Sequence, residues 1–347
     1  MFLDLSSYRG RLLKEEEMKN HWTAFFVAVV ISLVIAMPPG CPSLAAQQEA
    51  QQERMKVILD TDIGTDIDDA WALAFVIAHR NFEPLGITIT DGATPARAKV
   101  ACKLLHLTGR GDLPVAVGRP DNRDDRIDYQ FSWAEDFEGK KPIKQSAADF
   151  IVEKAKRYPG EVTLIAVGPL QNVADALRKE PNLGKYLKRV VLMSGSIYGT
   201  ANQPATPIAE FNVRVAIADA QLVYSAGLPL TIVPLDATTH VVLKDEEREQ
   251  VRRHHTPLTI SLEALYRLWL RGPQSRMTLH DQLAVAETAS PDTFFHKKET
   301  LPLVVDDKGF TRIDRERGKP VVVCFEPKRD EFMQYYIGRL VGWRLGL

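Results

Sequence analysis

The amino-acid sequence predicts an α/β fold that is Rossmann-like, with a mainly parallel central sheet and helices on both faces. Two observations predict it: short, β-rich apolar runs recur along the chain, and helical stretches separate them. The composition is globular, since 45% of the 347 residues are hydrophobic and 26% are charged. In such folds ligands bind outside the carboxyl ends of the strands, so the residues that follow each strand are the first candidates for function.

Each element is predicted from its own run of residues. The first strand is Val57-Ile58-Leu59, and an acid-rich loop separates it from an Ala-rich helix over residues 70–78. The same alternation predicts strands over 85–89, 162–167, 190–193 and 230–234, a helix over 96–107, and a helix that starts over 173–177. Two charged segments, 118–145 and 246–271, are predicted to be surface insertions that could cover a site.

The N-terminus is predicted to be a targeting segment. From Trp22 to Met37 the chain is almost entirely apolar, and small residues follow up to Ala46. This run of about 16 residues is shorter than the ~20 that a bilayer span needs, so no stable membrane insertion is expected. We expect a signal peptide over residues 1–46, with a mis-assigned start before Met18, a single domain over residues 47–347, and a periplasmic or secreted location.

Charge and cysteine content narrow the partner classes. The 44 Lys and Arg against 45 Asp and Glu give a formal charge of −1, which favours neither nucleic acid nor an anionic membrane. Three scattered cysteines do not form a disulfide framework or a zinc motif. We therefore expect a small-molecule partner and no nucleic acid.

Five carboxylates lie within ten residues after the first predicted strand; they are Asp60, Asp62, Asp66, Asp68 and Asp69. Like charges this close raise one another's pKa unless a cation lies among them. An all-oxygen set favours a hard ion, Ca²⁺ or Mg²⁺. The alternative, a solvated turn that caps the next helix, explains one such Asp better than five. An EF-hand is excluded because Gly64 is fifth from Asp60 rather than sixth.

A strand followed by Asp60-Thr61-Asp62 is also the pattern of an aspartate-nucleophile phosphatase, which would use Mg²⁺ and a covalent Asp60. That class usually has Gly directly after the second Asp, where this chain has Ile63. A non-catalytic extracytoplasmic binding protein for sugars or nucleosides, with the metal retained, is a second alternative.

The acidic loop, DTDIGTDIDDA, resembles the signature Asp-x-Asp-x-Gly-x-Asp-Asp-Ala of the inosine-uridine preferring nucleoside hydrolase family. The loop is two residues longer here, so Asp69 matches the second paired acid, while Asp66 and Asp68 are both candidates for the first. Further matches follow in the family's order and cover nearly all of the chain after residue 46: LGITIT, VTLIAVGPLQN, VVLMSGS, TPIAEFN, VPLD and HDQLAVA.

The resemblance implies the nucleoside hydrolase fold and calcium-dependent hydrolysis of the N-glycosidic bond of ribonucleosides to free base and ribose. It implies Ca²⁺ ligands from three carboxylates and one backbone carbonyl: Asp62, Asp69, Asp281 and Val167. Asp62 would also take a proton from the attacking water, and Asp60 would brace the loop. The implied substrate-binding residues are Asp68 or Asp66, Met193, Glu210 and Asn212. Because members of the family often self-associate, a homo-oligomer is a further expectation.

Two further expectations concern the role of His280 and the backbone of a three-residue segment. His280 stands beside Asp281 and is the candidate general acid, because an ordinary histidine pKa of about 6.5 allows proton donation to a leaving base near neutrality. An extended segment at Glu210-Phe211-Asn212 would put Glu210 and Asn212 on one face, with Phe211 in the core.

The chain departs from the family's pattern at two positions where an Asn is expected to contact the sugar. Ala93 stands at one of them and Pro204 at the other. Either Asp91 and Asn202 substitute for the two missing amides, or the outer end of the sugar is recognised differently. These departures leave the implied metal ligands intact.

Overall fold

Nine strands form one sheet in the computed structural model, which describes residues 54–121, 130–273 and 276–346. The strands are β1 (Met55–Thr61), β2 (Phe82–Ile89), β3 (Val115–Val117), β4 (Val162–Ala166), β5 (Leu187–Met193), β6 (Leu230–Val233), β7 (Phe295–Val305), β8 (Thr311–Ile313) and β9 (Lys319–Pro327). Their order is β3-β2-β1-β4-β5-β6-β9-β7-β8. Pairing is parallel from β3 to β9 and antiparallel where β7 meets β9 and β8, so the predicted mainly parallel sheet is confirmed.

The helices of the described residues lie between and after these strands. They are α1 (Asp68–Ala78), α2 (Thr94–Leu107), α3 (Ala147–Arg157), α4 (Gln171–Lys179), α5 (Phe211–Arg214), α6 (Ile217–Ser225), α7 (Leu235–Thr238), α8 (Asp245–Arg252), α9 (Pro257–Trp269), α10 (His280–Ala289) and α11 (Arg329–Gly342). Among these residues no helix is long and apolar enough to cross a membrane. The predicted signal peptide lies outside the described residues, and the residues from Arg54 onward form one compact unit.

The sheet is covered on both faces, as predicted. Along β1 the side chains alternate between two apolar clusters: Val57 and Leu59 join one, and Ile58 joins the other. The first cluster contains buried residues of α1, α2, α9, α10 and α11, and the second contains those of α3, α4 and α6. Burial on both faces explains why the parallel strands appear in the sequence as continuous apolar runs.

Two sequence expectations need correction. The segment 246–271 is not a covering insertion, because Leu258, Leu262 and Leu265 of α9 are fully buried in the first cluster. In addition, strand β3 and the C-terminal strands β7 to β9 were not predicted at all. β7 contains the charged run His296–Glu299 and is half exposed, so its sequence lacks the apolar signal of the parallel strands. The segment 118–145 lies partly outside the described residues.

The strand order places a topological switch point at the centre of the sheet. From β1 the chain first builds β2 and β3 on one side, and β4 then pairs with the other side of β1. In open α/β sheets the crevice outside the carboxyl ends at such a point is where ligands bind. The acidic loop follows β1 and Val167 follows β4, so both lie at this crevice.

Candidate active site

A cavity of about 570 Å³ opens at the switch point. Its lining residues come from the acidic loop, from the ends of β4 and β5, and from the starts of α5, α7 and α10. They are Asp62, Thr65, Asp66, Asp68, Asp69, Arg97, Val167, Met193, Ile208, Ala209, Glu210, Phe211, Asn212, Arg214, Leu235, His280 and Asp281. Every ligand, base and substrate contact implied by the resemblance, and the candidate general acid His280, therefore lines one cavity.

Three carboxylates form the floor of this cavity. One oxygen from each of Asp68, Asp69 and Asp281 lies within 4.8 Å of the others, and each side chain is at least 96% buried. Asp68 and Asp69 are in the first turn of α1, and Asp281 is in the first turn of α10. Both helix N-termini point their positive ends at this cluster, which favours negative charge there.

The electrostatics of the cluster fit a hard cation. Burial raises the pKa of Asp68, Asp69 and Asp281 well above the ordinary value, and the neighbouring carboxylate charges, Asp62 among them, raise it further. A divalent ion among these oxygens would offset both the cost of burying the carboxylate charges and their mutual repulsion. Oxygen-only donors suit Ca²⁺ or Mg²⁺. Asp69 and Asp281, with Asp62 and the carbonyl of Val167 at the same cavity, are the residues that would hold it. The observed three-carboxylate group contains Asp68, which was expected to bind substrate, and does not contain Asp62.

Hydrogen bonds fix the loop that carries these acids. The Thr61 hydroxyl donates to Asp69 Oδ1 at 2.5 Å, and the backbone N–H of Asp62 donates to the same oxygen at 3.1 Å. The end of β4 comes so close that a Cβ added to Gly168 would lie 2.5 Å from Asp62 Oδ1. Glycine is therefore required at 168 for Asp62 to keep its place.

The longer loop separates the two candidates for the first paired acid. Asp68 is buried with the cluster, whereas Asp66 is exposed at the cavity and its Oδ1 accepts the N–H of Ile67 at 2.7 Å. Gln130 holds this part of the loop by donating to the backbone carbonyls of Thr65 and Asp66, both at 2.9 Å. The two additional residues thus place a further carboxylate outside the three-carboxylate cluster.

Asp60 lies beneath the cavity and does not line it. Its side chain is fully buried, and Oδ1 accepts hydrogen bonds from Thr88 Oγ1 at 2.5 Å and Asn172 Nδ2 at 2.7 Å. Burial raises its pKa to about 7. A carboxylate in this position braces the loop and cannot attack a substrate in the cavity, so the structure gives no support to a phosphatase with Asp60 as nucleophile.

Glu210 and Asn212 both line the cavity, as expected, but the expected extended segment with Phe211 in the core is wrong. Glu210 is not part of an extended run but caps α5, and its carboxylate accepts the backbone N–H groups of Gly195, Asn212 and Val213 at 2.7–3.2 Å. Helical geometry turns Phe211 outward, 48% exposed at the cavity, rather than into the core. Glu210 is buried, and burial raises its pKa to about 7.

Asn212 joins the ends of two strands. Its Nδ2 donates to the carbonyl of Val167 at 2.7 Å and to that of Met193 at 3.1 Å. The backbone N–H of Val167 donates in turn to the carbonyl of Asp60 at 2.8 Å. Val167, whose carbonyl is expected to face the metal, is therefore held by hydrogen bonds at both its N–H and its carbonyl.

His280 is the first residue of α10, and its Nδ1 lies 2.7 Å from Thr238 Oγ1. Burial lowers its pKa to about 4. The ordinary pKa of about 6.5, on which the general-acid prediction was argued, does not hold in this environment. The position of His280 beside Asp281 at the cavity agrees with the prediction, and its role stays a prediction.

The sequence interpretation missed Arg97. This side chain of α2 is only 1% exposed, lines the cavity, and forms an ion pair with the buried Asp91, whose Oδ2 lies 3.4 Å from its Nη2. Neither Asp91 nor Asn202 is among the described residues that line the cavity. Arg97 falls on the buried face of α2 with Ala101, Leu104 and Leu105, a helical spacing that could have revealed it.

Comparisons with known proteins agree with this geometry. Residues 57–334 match a sequence model described as inosine-uridine preferring nucleoside hydrolase. The chain is 30% identical over 308 residues to the pyrimidine-specific ribonucleoside hydrolase RihA of Shewanella sp. (strain MR-7), covering 82% of this chain and 95% of that one. It is 29% identical over 260 residues to uridine nucleosidase 1 of Arabidopsis thaliana, covering 70% of this chain and 76% of the other. The fold is similar to that of the plant nucleoside hydrolase PpNRh1, with a TM-score of 0.73 at 23% identity over 83% of this chain and 99% of that one.

Proposed function

Because the chain belongs to the inosine-uridine preferring nucleoside hydrolase family, whose members hydrolyse N-glycosyl bonds, we propose that it releases free base and ribose from ribonucleosides in a calcium-dependent reaction. The observation that carries the calcium dependence is the buried cluster of Asp68, Asp69 and Asp281 on the floor of the cavity. Three buried carboxylates whose oxygens lie within 4.8 Å of one another repel, which destabilises the fold unless a cation lies among them. Bound Ca²⁺ would orient the attacking water and the ribose hydroxyls at one centre and ease loss of the water's proton.

The chain's own residues perform the remaining steps on the sugar side. Asp62 accepts the proton of the attacking water, since its carboxylate lines the cavity beside Asp69 and its backbone is hydrogen-bonded in place. Bond cleavage builds positive charge on the ribose, and the surrounding carboxylates stabilise that charge. Asp68, Glu210 and Asn212 hold the ribose hydroxyls, and Met193 packs against the sugar.

On the other side of the broken bond, negative charge develops on the departing base. We assign protonation of this base to His280, which lies at the cavity and is oriented through Nδ1 by Thr238. A pKa near 4 leaves the resting imidazole neutral, so His280 takes up a proton from solvent as the negative charge of the leaving base develops, and passes that proton to the base. This step therefore matters most for bases that leave poorly.

The N-terminal segment supports export of the protein. We propose cleavage near Ala46 and a periplasmic or secreted enzyme, with residues 47–347 as a single catalytic domain that acts on nucleosides outside the cytoplasm. Sequencing the N-terminus of the protein recovered from an exporting host tests this directly. A start at or before Met18 on the recovered chain would overturn it.

The deciding experiment is release of ribose from a panel of purine and pyrimidine nucleosides, with Ca²⁺ and again after chelation and dialysis. We expect release that disappears on chelation and returns with Ca²⁺, and that falls strongly in Asp62→Asn. His280→Ala should reduce turnover most for the poorer leaving bases. Release that survives complete metal removal would refute the calcium dependence, and no release from any nucleoside would refute the substrate class. Calcium binding without turnover would instead favour a binding protein.

A further inference from the structure

Arg97 reaches from α2 to the backbone of the acidic loop. Its Nη1 donates to the carbonyl of Asp62, to that of Ile63 at 3.5 Å, and to Thr65 Oγ1 at 3.2 Å. The same guanidinium spans the first half of the loop, before the exposed Asp66. Asp62, the proposed base, is therefore tied to this arginine through its own peptide group.

The other edge of the guanidinium is fixed just as firmly. Nε donates to the carbonyl of Asp91 at 2.9 Å, and Nη2 lies 3.4 Å from Asp91 Oδ2. Asp91 has a φ of +68°, a left-handed backbone that turns its carbonyl and its carboxylate toward the arginine. Gln171 donates to the carboxylate of Asp91 at 3.5 Å and accepts from Thr90 at 2.8 Å. Asp91, which holds the arginine, is thus itself fixed by residues at the ends of β2 and β4.

We propose that Arg97 is a positioning residue, which fixes the backbone of Asp62 so that its carboxylate stays at the cavity beside the cluster of Asp68, Asp69 and Asp281. The expected effect of Arg97 on kcat rests on the proposed function, whereas its expected effect on the backbone of the acidic loop does not. A planar guanidinium offers donors in a fixed fork and can bind the Asp62–Thr65 segment and Asp91 at once. A lysine ammonium is a point charge and cannot span both groups.

The alternative is that Arg97 acts only through its charge. A buried cation close to several carboxylates lowers their mutual repulsion whatever its geometry, and it would also disfavour a metal cation at the same place. The two possibilities predict opposite results. If charge alone matters, Arg97→Lys behaves as the wild type and Arg97→Met binds Ca²⁺ more tightly. If hydrogen-bond geometry matters, both variants bind Ca²⁺ more weakly.

The first readout is hydrogen exchange of the metal-free full chain, which needs neither calcium nor substrate. In Arg97→Lys we expect faster exchange in the peptide that covers residues 62–69 and around Asp91, the other partner of the guanidinium, with exchange elsewhere unchanged. Arg110→Lys is the matched control, since Arg110 pairs with Asp112 before β3, at the opposite edge of the sheet. Equal exchange of the 62–69 peptide in Arg97→Lys and wild type overturns the proposal, as does faster exchange spread evenly over the chain.

The second readout is calcium affinity by titration calorimetry, together with kcat and KM at saturating Ca²⁺. Residues that support metal ligands from outside typically change affinity or activity by about 10–100-fold, and we expect at least about tenfold weaker calcium binding in both Arg97→Lys and Arg97→Met. At saturating Ca²⁺, kcat should stay low while KM for the nucleoside is little changed, because the ribose contacts do not involve Arg97. A role in folding alone would lower the yield of active protein and leave affinity and kcat per folded molecule unchanged, which overturns the proposal.

Thr65→Val is the milder variant if loss of the buried arginine prevents folding. It removes one acceptor, 3.2 Å from Nη1, and keeps the ion pair with Asp91. We expect faster hydrogen exchange of the loop, weaker calcium binding and lower kcat, each smaller than in the Arg97 variants. If none of the three changes, the proposal is contradicted. If wild type releases no ribose, the proposed function fails, while hydrogen exchange and calcium affinity still decide the role of Arg97.

Discussion

Replacing Asp281 with Asn should have opposite effects on the protein with and without calcium. Asp281 contributes one of three carboxylate oxygens that lie within 4.8 Å of one another. Without a cation the three repel, so removing one charge stabilises the fold. With a cation the same carboxylate is a ligand, so removing it weakens binding. A residue that serves only the fold cannot produce both effects.

The magnitude follows from the geometry. Two unit charges 4.8 Å apart repel by about 3.5 kcal/mol at an effective dielectric of 20, and proton uptake by these acids, whose pKa burial raises, relieves part of it. We therefore expect Asp281→Asn to stabilise the metal-free protein by about 1–2 kcal/mol, or about 2–3 °C in Tm. At a calcium concentration 100 times Kd the wild type gains about 2.7 kcal/mol, whereas a variant with 100-fold weaker binding gains only about 0.4 kcal/mol.

Thermal unfolding in chelator and over a calcium titration measures both effects. The matched control is Asp219→Asn, because Asp219 pairs with Arg119 at 2.6 Å and Arg178 at 2.7 Å, away from the cavity. This control should lower Tm in chelator and keep the full calcium-dependent rise. If Asp281→Asn also lowers Tm in chelator, or keeps the wild-type response to calcium, the account of the cluster as a cation site is refuted.

Three further predictions test the surroundings of the site and the core. Gly168→Ala would push a Cβ to 2.5 Å from Asp62 Oδ1, so calcium affinity by calorimetry and kcat should both fall about tenfold, whereas Gly111→Ala, in open space, should change neither. Burial raises the pKa of Glu210 to about 7, above the ordinary value of 4.5, so the free energy of unfolding falls as the pH rises from about 4.5 to 7; Glu210→Gln should remove this loss, and an equal slope against pH in the two proteins contradicts this. Burial lowers the pKa of His79 to about 4, whereas an unfolded histidine binds its proton near pH 6.5, so stability is full above pH 6.5 and falls by up to about 3 kcal/mol toward pH 4. His79→Phe should remove this loss, and equal slopes of unfolding free energy against pH in the two proteins would show that another group causes it.

The parallel half of the fold could be predicted because its strands are buried on both faces. Such strands appear as uninterrupted apolar runs, and β1, β4 and β5 were all found within three residues of their observed ends. Since parallel strands end at one edge of the sheet, motifs far apart in sequence were expected to meet there. Asp62, Val167 and Asp281 do line one cavity. The antiparallel strand β7 gave no such signal because only Phe295, Leu303 and Val305 among its eleven residues are buried.

Details of the site depended on backbone geometry that the residue pattern leaves open. Whether Asp66 or Asp68 joins the cluster depends on where α1 begins, and a shift of two residues would exchange them. Glu210 was misinterpreted because Glu is an unusual N-cap, so nothing before Phe211 indicated a helix. The change from strand to helix reverses the side to which Phe211 points. Arg97 was missed because its partners are mostly backbone carbonyls, which no residue pattern displays.

The acidic loop is built in two layers at the point where β1 changes partners. In the lower layer Asp60 pairs in register with Thr88 of β2 and Ala166 of β4, and it receives hydrogen bonds from Thr88 and from Asn172 of α4. Asp62 follows two residues later, beyond the end of β1, and its backbone carbonyl accepts a hydrogen bond from Arg97. The layer that contains Asp62 is therefore positioned partly by side chains of other elements, which is why we expect substitutions outside the carboxylate set to change calcium affinity.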